Sequence, residues 1–317
     1  MTIGSALILY AIVIGLAGPA AFRRAVWPVR APRLGAAAVL AAAWSVPVAL
    51  VLAGVTIALP ATALSADIGR LIGACLARLR AAYGTPGGTG IITAGQVLTV
   101  ATAARIAWAA GRVTQRRRTG ARRHQLLVRL AGHRRPDLPA LVLDCPQTAA
   151  YSVAGRHPDV VVTSGAIELL TEPQLGAVLA HENAHLRARH HRWQVAAAVV
   201  ADALPIVPLL REVPARVGQL LEMDADELAA HHHGPRVLAG ALVAVASVGG
   251  PAAAGVTVPS ASTLTPEGAD AVARIRRLMC PPDELPRRRR TLTRAAIVAL
   301  TVAPLLLAAA PALVALQ

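Results

Sequence analysis

The sequence has no lysine and is poor in cysteine, aromatic residues and charge. Only 15% of its 317 residues are charged, whereas soluble domains carry about 25%. The cysteines, Cys75, Cys145 and Cys280, form no C-x-x-C pair, which argues against a disulfide scaffold and a thiolate zinc site. Aromatic residues make up 3%, which leaves little support for base stacking. Hydrophobic residues make up 55%, which excludes intrinsic disorder and indicates a membrane protein with an aqueous domain.

Four apolar runs are long enough to cross a bilayer. Each has about 20 residues, the length that spans about 30 Å of hydrocarbon. The positive charges at Arg23 and Arg24 follow the first run, so we do not interpret it as a cleavable signal peptide. The expected transmembrane helices are 3–22, 36–59, 90–111 and 295–316.

All 32 basic residues are arginines, and their clusters border the apolar runs. They follow the first and third runs and directly precede the fourth, at Arg287–Arg290. The positive-inside rule then predicts a multi-pass protein of the bacterial plasma membrane, with residues 112–294 in the cytoplasm and both termini outside. Because every cluster borders an apolar run, we expect contact with the lipid bilayer and no direct nucleic-acid binding.

Two further apolar stretches, 193–210 and 237–258, are expected to be helices of the cytoplasmic domain that lie on the membrane or dip into it. Asp202 and two prolines make the first a poor span. A crossing there would separate the candidate metal ligands described below. A crossing in the second would place Arg287–Arg290 outside, against the positive-inside rule.

The H-E-x-x-H motif from His181 to His185 carries the strongest chemical pattern in the chain. Thr171 and Gln174 form a capping-box pattern, which predicts that a helix begins there. Histidines four residues apart share a helix face, so two imidazoles can bind one Zn²⁺. Glu182, one residue round the helix, then reaches a water held by the metal. The alternative is an exposed polar helix face.

A second pattern, E-x-x-x-D at Glu222 and Asp226, lies in a dense acidic run. Four residues apart, these carboxylates also share a helix face. Glu222 can supply a third metal ligand, and Asp226 can accept a hydrogen bond from a ligand imidazole. Three protein ligands leave the fourth position to water, which is typical of catalytic zinc. The alternative is an acidic first turn of a helix.

These two motifs, at 181–185 and 222–226, resemble those of the gluzincin membrane peptidases. The resemblance is greatest to the bacterial beta-lactam-sensor and antirepressor transducers. The heat-shock membrane protease and the prenyl-protein protease are more distant relatives. Three spans, a cytoplasmic zinc domain and a fourth span match the transducer arrangement, so the resemblance covers nearly the whole chain.

The resemblance implies one Zn²⁺ per chain, with His181, His185 and Glu222 as ligands. It assigns Glu182 as the general base and Asp226 as the hydrogen-bond partner of a ligand. The sensor transducers continue into a penicillin-binding domain with a Ser-x-x-Lys nucleophile. Because this sequence ends at residue 317 without any lysine, we expect no beta-lactam binding by that chemistry.

The resemblance also implies that the stretch 149–163 contributes an edge strand for a substrate backbone. The β-branched run at 159–163 independently predicts a strand. The expected edge-strand residues are Val160, Val161 and Val162.

Tyr151 and His231 are candidates for stabilising the oxyanion. The alternatives are that Tyr151 is a core residue and that His231 faces solvent. His190 and His191 are expected to continue the active helix and to face water.

We therefore expect a mostly α-helical membrane protein with about four transmembrane helices and a cytoplasmic α+β gluzincin domain that carries a small edge-strand sheet. The expected divisions are 1–111 for three spans, 112–294 for the peptidase domain and 295–317 for the fourth span. The expected activity is a zinc metalloendopeptidase that cleaves a cytoplasmic regulatory protein, such as a winged-helix transcriptional repressor, or its own chain. Two alternatives stay open: a membrane quality-control protease, and a zinc-bound transducer without proteolytic activity.

Overall fold

The computed structural model describes residues 3–58, 88–155, 158–248 and 268–314. Most of the predicted loop at 60–89 and the end of the 237–258 stretch lie outside the described residues. The described helices are α1 (Ile3–Arg24), α2 (Trp27–Arg30), α3 (Pro32–Ala58), α4 (Gly88–Ala131), α5 (Ser164–Leu169), α6 (Glu172–Arg187), α7 (His190–Ala203), α8 (Pro208–His233), α9 (Pro235–Val248), α10 (Gly268–Met279) and α11 (Arg287–Val314). The described strands are β1 (Gly132–Arg134), β2 (Leu141–Leu143), β3 (Ala150–Val153) and β4 (Asp159–Thr163).

Four of the described helices are long and apolar enough to cross a membrane, namely α1, α3, α4 and α11, in agreement with the four predicted spans. α3 is the central one, because it packs against α1, α4, α11 and α8. More than half of its apolar window is buried, whereas the other three spans expose most of theirs. α4 continues without interruption to Ala131, so the expected division at 111/112 falls inside a helix.

Glycines bring α3 and α4 into close contact. A Cβ atom added at Gly54 would lie 2.6 Å from the carbonyl oxygen of Gly95, and one at Gly95 would lie 2.9 Å from that of Gly54. The hydroxyl of Thr99 in α4 donates across the crossing to the Val51 carbonyl of α3 at 3.4 Å. Small residues at a crossing allow helix backbones to approach, which drives association where lipid replaces water.

The stretch 193–210 forms most of α7 and the start of α8, which are joined by a short connection. Gly15 of α1 faces this hairpin, since a Cβ there would lie 2.8 Å from Val207 Cγ1. At 1.5 Å per residue, Gly15 lies about 13 Å along α1 from Arg24. The hairpin therefore packs against the middle of α1 and not against its end.

Two arginines of α4 hold the end of α7. The guanidinium of Arg105 donates to the backbone carbonyls of Asp202 and Ala203, at 2.9 and 3.3 Å. Arg112 forms a two-point ion pair with the Asp202 carboxylate. These contacts satisfy the only carboxylate of α7 and the carbonyls of its last turn, which have no partner within the helix.

The four strands form one sheet in the order β1-β2-β4-β3. β4 pairs in parallel with β2 and antiparallel with β3, so it is an interior strand and β3 is an edge. Successive residues point to opposite faces of the sheet. Val160 and Val162 pack in the core that contains α6 and α9, and Val161 packs with Val128 of α4 on the other face.

We expect Gly54→Ala to destabilise the full chain by about 1–3 kcal/mol, because the new methyl group overlaps backbone atoms of α4. Thermal unfolding in detergent measures the change. Gly111→Ala is the matched control, because a Cβ at Gly111 meets no atom within 4 Å. Equal unfolding temperatures for Gly54→Ala and the wild-type chain would contradict the close crossing.

Candidate metal centre

Helix α6 begins as its capping box predicts. The backbone N–H of Thr171 donates to Gln174 Oε1 at 3.0 Å, and the first turn contains a proline, which suits that position. The helix ends at Arg187, and Arg189 has a left-handed backbone with φ of 54°. The helix therefore ends two residues after His185. Because His181 and His185 are four residues apart, they lie on the same buried face of α6.

Three candidate ligands lie together between α6 and α8. His181 and His185 are 1% and 3% exposed, and their Nε2 atoms are 3.1 Å apart. The Glu222 carboxylate of α8 faces both, with oxygens 3.4 Å from His181 Nε2 and 3.5 Å from His185 Nε2. The three side chains thus present one donor atom each to a common point.

The size of this triangle fits Zn²⁺. Ligand atoms about 2.0–2.1 Å from a tetrahedral zinc ion lie about 3.3 Å apart. The two Nε2 atoms are 3.1 Å apart, and each faces a different Glu222 oxygen, with Oε2 3.4 Å from His181 and Oε1 3.5 Å from His185. Two imidazole nitrogens and one carboxylate form a donor set that zinc accepts, and they leave the fourth tetrahedral position to a non-protein ligand.

Asp226 supports His181 from behind. Its Oδ1 lies 3.0 Å from His181 Nδ1. Arg274 of α10 holds the same carboxylate with two hydrogen bonds, of 2.6 and 2.7 Å, and lies 3.3 Å from Glu222. This pairing fixes the orientation of the imidazole and directs its Nε2 toward the common point.

His185 is supported by a different pair. Its Nδ1 lies 2.9 Å from His190 Nδ1, and His190 Nε2 lies 3.1 Å from Asp224 Oδ2. A metal on His185 Nε2 requires the proton on Nδ1, so His185 donates to His190 and His190 donates to Asp224. Burial lowers the pKa of His190, which agrees with the neutral form that can accept.

The cluster attracts positive charge. Burial lowers the pKa of His181, but its hydrogen bonds to the Asp226 and Glu222 carboxylates and their negative charges raise it to about 10. Burial raises the pKa of Glu222, yet both histidines together hold it well below its usual range. A carboxylate kept ionised beside two imidazoles provides the negative potential that a divalent cation requires.

Glu182 is fully buried beside the cluster, and neither of its oxygens has a hydrogen-bond partner among the described residues. Its pKa is raised to about 8, because burial and the Glu222 carboxylate together outweigh His181 and the nearby Ser152 of β3, which lower the pKa. A carboxyl group with a pKa near neutrality can both accept and return a proton.

The structure corrects the expected position of the edge strand. Val160, Val161 and Val162 do not form an edge, because β4 has a hydrogen-bonded strand on each side. Tyr151 points to the face of the sheet opposite Ser152, where its ring packs against His124 with centroids 5.2 Å apart. Its packing fits the plainer role of a core tyrosine that the sequence also allowed.

His231 is not placed to stabilise an oxyanion. It lies nine residues after Glu222 on α8, and at 100° per residue this puts it on the opposite side of the helix. Its ring packs against His232, with centroids 5.3 Å apart. His190 does not face water, as expected above, but is 2% exposed, because the turn at Arg189 starts a new helix that folds it back onto His185.

Sequence reasoning missed the supporting residues His190, Asp224 and Arg274. Asp224 lay in the same acidic run as the two motif carboxylates, and His190 was five residues from a candidate ligand. Arg274, 48 residues after Asp226, gave no sequence signal at all.

Comparison with known proteins supports a metallopeptidase. The family model "Peptidase family M48" matches residues 116–216, a range that includes α6 and ends before Glu222. The chloroplastic plastoglobule-localized metallopeptidase 48 of Arabidopsis thaliana is 36% identical over 81 residues, covering 26% of this chain and 24% of the relative. "Protease HtpX homolog" of Trichormus variabilis is 35% identical over 86 residues, covering 26% and 30%.

"Protease HtpX homolog" of Salinibacter ruber is 36% identical over 90 residues, covering 26% of this chain and 32% of the relative. The chain thus spans about a quarter to a third of the length of the curated relatives it matches. No solved structure matches. The similarity supports relationship to the M48 metallopeptidases and does not single out the beta-lactam-sensor transducers.

We expect the wild-type chain to hold about one zinc ion, and His181→Ala, His185→Ala and Glu222→Ala each to remove most of it. Metal analysis of purified full-length protein measures the content. Glu227→Ala is the matched control, because this α8 carboxylate pairs with Arg277 and does not face the cluster. Full zinc content in Glu222→Ala would overturn the ligand assignment.

We expect His190→Ala to weaken zinc affinity by about 10–100-fold without removing the site, because it withdraws the acceptor that orients His185. Competition with a fluorescent chelator measures the affinity. His191→Ala, the next residue on the same helix, is the control and should change affinity less than twofold. Equal affinities for both variants would show that the His185–His190 contact has no role in metal binding.

Proposed function

We propose that this chain is a membrane-embedded zinc metalloendopeptidase. The observation that carries the proposal is the place of Glu182, a buried carboxyl without a hydrogen-bond partner among the described residues, beside three converging donor atoms. Four helices with the length and composition of membrane spans support the membrane location. The similarity to M48 metallopeptidases and HtpX-type proteases supports the activity.

The residues of the cluster would have two roles in peptide hydrolysis, metal binding and proton transfer. His181, His185 and Glu222 would hold the metal. A bound Zn²⁺ supplies a Lewis acid that polarises the scissile carbonyl and lowers the pKa of a water molecule to about 7. Glu182 takes a proton from the attacking water and returns it to the leaving amine, which closes the proton balance of the reaction.

The substrate would bind along β3 and not along β4. β3 has one paired side, against β4, and Ser152 in its middle lies beside Glu182. A peptide added as a further strand to the open side of β3 would be held extended by backbone hydrogen bonds. Its scissile bond would then pass next to the carboxyl that moves the proton.

The arginine clusters favour a site on the cytoplasmic side of the plasma membrane. Substrates are then cytosolic proteins or cytosolic segments of membrane proteins. Of these we favour a regulatory protein of the transcriptional-repressor type, or the chain itself, on the resemblance of both motifs to the antirepressor transducers. Degradation of unfolded membrane proteins is the competing substrate class.

We expect Glu182→Gln to keep zinc and to lose about 10²–10⁴-fold in cleavage rate, because the amide cannot accept the proton. The assay follows zinc-dependent cleavage by the full chain in lipid, with removal and restoration of zinc. Glu172→Gln, in the exposed first turn of the same helix, is the control and should retain the rate.

Undiminished cleavage by Glu182→Gln would show that the activity belongs to another protein. A zinc-loaded wild-type chain that cleaves neither a repressor nor an unfolded membrane protein would favour the transducer without proteolysis. Discrete cleavage of a repressor supports the regulatory substrate, whereas degradation of unfolded proteins alone supports quality control.

A further inference from the structure

A cavity of about 800 Å³ lies outside the metal centre, on another side of α8. Its walls come from the junction of α2 and α3, from α7 and α8, from α10 and from the start of α11. None of the three candidate metal ligands lines it, and neither does Glu182. The cavity is therefore a separate space in the fold.

Arginine dominates the charge of this cavity. Five line it, and acidic residues neutralise two, because Arg277 pairs with Glu227 and Arg290 pairs with Glu284. Among the described residues, the other three have no acidic partner. These are Arg30, Arg33 and Arg294. The third acidic residue of the lining, Asp224, is already engaged by His190.

Buried donors point to a ligand with acceptor oxygens. The Nε atoms of Arg30, Arg277 and Arg290 are buried and have no hydrogen-bond partner among the described residues. The Arg277 side chain is only 10% exposed. Native proteins leave few buried donors unsatisfied, so three in one cavity call for an acceptor that is not part of the chain.

The cavity lies at the ends of two candidate spans, α3 and α11. Arg30 ends α2, Arg33 lies in the first turn of α3, and Arg294 lies in the second turn of α11. The side chains of Leu34, Ala37 and Trp193 add apolar lining to the same space. Arginine beside apolar surface at this level matches a lipid headgroup that continues into acyl chains.

We propose that this cavity binds the phosphate group of an anionic membrane phospholipid. The planar guanidinium group pairs with phosphate oxygens through parallel hydrogen bonds, and its weak hydration favours such pairing in a partly buried site. A volume of about 800 Å³ accommodates a glycerophosphate headgroup. The proposal does not depend on peptidase activity, since it concerns a different face of α8.

The test measures binding of phosphatidylglycerol to the purified full chain in a neutral detergent, by native mass spectrometry, with phosphatidylcholine and inorganic phosphate as parallel probes. Arg33→Gln and Arg294→Gln each remove one unpaired guanidinium and should weaken phosphatidylglycerol binding by about tenfold or more. Arg24→Gln and Arg288→Gln are matched controls, because both border spans and neither lines the cavity.

The controls should stay within twofold of the wild-type affinity, and all four variants should keep the wild-type unfolding temperature. A similar loss in the controls would overturn the proposal, because it would show a diffuse attraction to positive charge. Equal binding of phosphatidylcholine would overturn it as well. Inorganic phosphate that binds as tightly as the lipid would overturn the lipid assignment in favour of a soluble phosphate.

Discussion

The burial of two histidines and a glutamate on one turn-and-a-half of α6 is the constraint on which the rest of the site depends. His181, Glu182 and His185 are 1%, 0% and 3% exposed. Polar groups at such depth are costly unless they are paired. α8 supplies the pairing of the two histidines, because its carboxylates Glu222 and Asp226 lie one helical turn apart and contact them. The crossing of these two helices therefore creates both the donor triangle and its support.

The same helix ties the site to the membrane bundle. The first half of α8 packs with α1 and α3, through residues such as Leu210 and Val217, and its second half carries the acidic run. At 1.5 Å per residue, its 26 residues extend about 39 Å. One continuous helix therefore joins the surface that packs on α1 and α3 to the carboxylate of Glu222.

The spacing of residues within single helices explains which features of the site could be predicted from the sequence. Residues four apart on a helix must share a face, so the pairs in α6 and α8 were predictable without knowing the fold. The apolar runs predicted the four spans for the same kind of local reason. Strand order has no local signature, so the interior position of β4 was missed. His190 was missed because a single left-handed residue, Arg189, reverses the chain before it.

Arg274 shows why residues that support a buried site are hard to predict from sequence. It also shows how α10 connects two parts of the structure. It lies three residues before Arg277, so both arginines project from neighbouring faces of one helix. Arg274 donates a hydrogen bond to Asp226. Arg277 forms an ion pair with Glu227 and donates a hydrogen bond to the Val29 carbonyl beside the spans. One short helix thus neutralises both sides of the acidic run. Since the run presents the donor triangle on one side and the arginine-lined cavity on another, α10 fixes the position of each relative to the other.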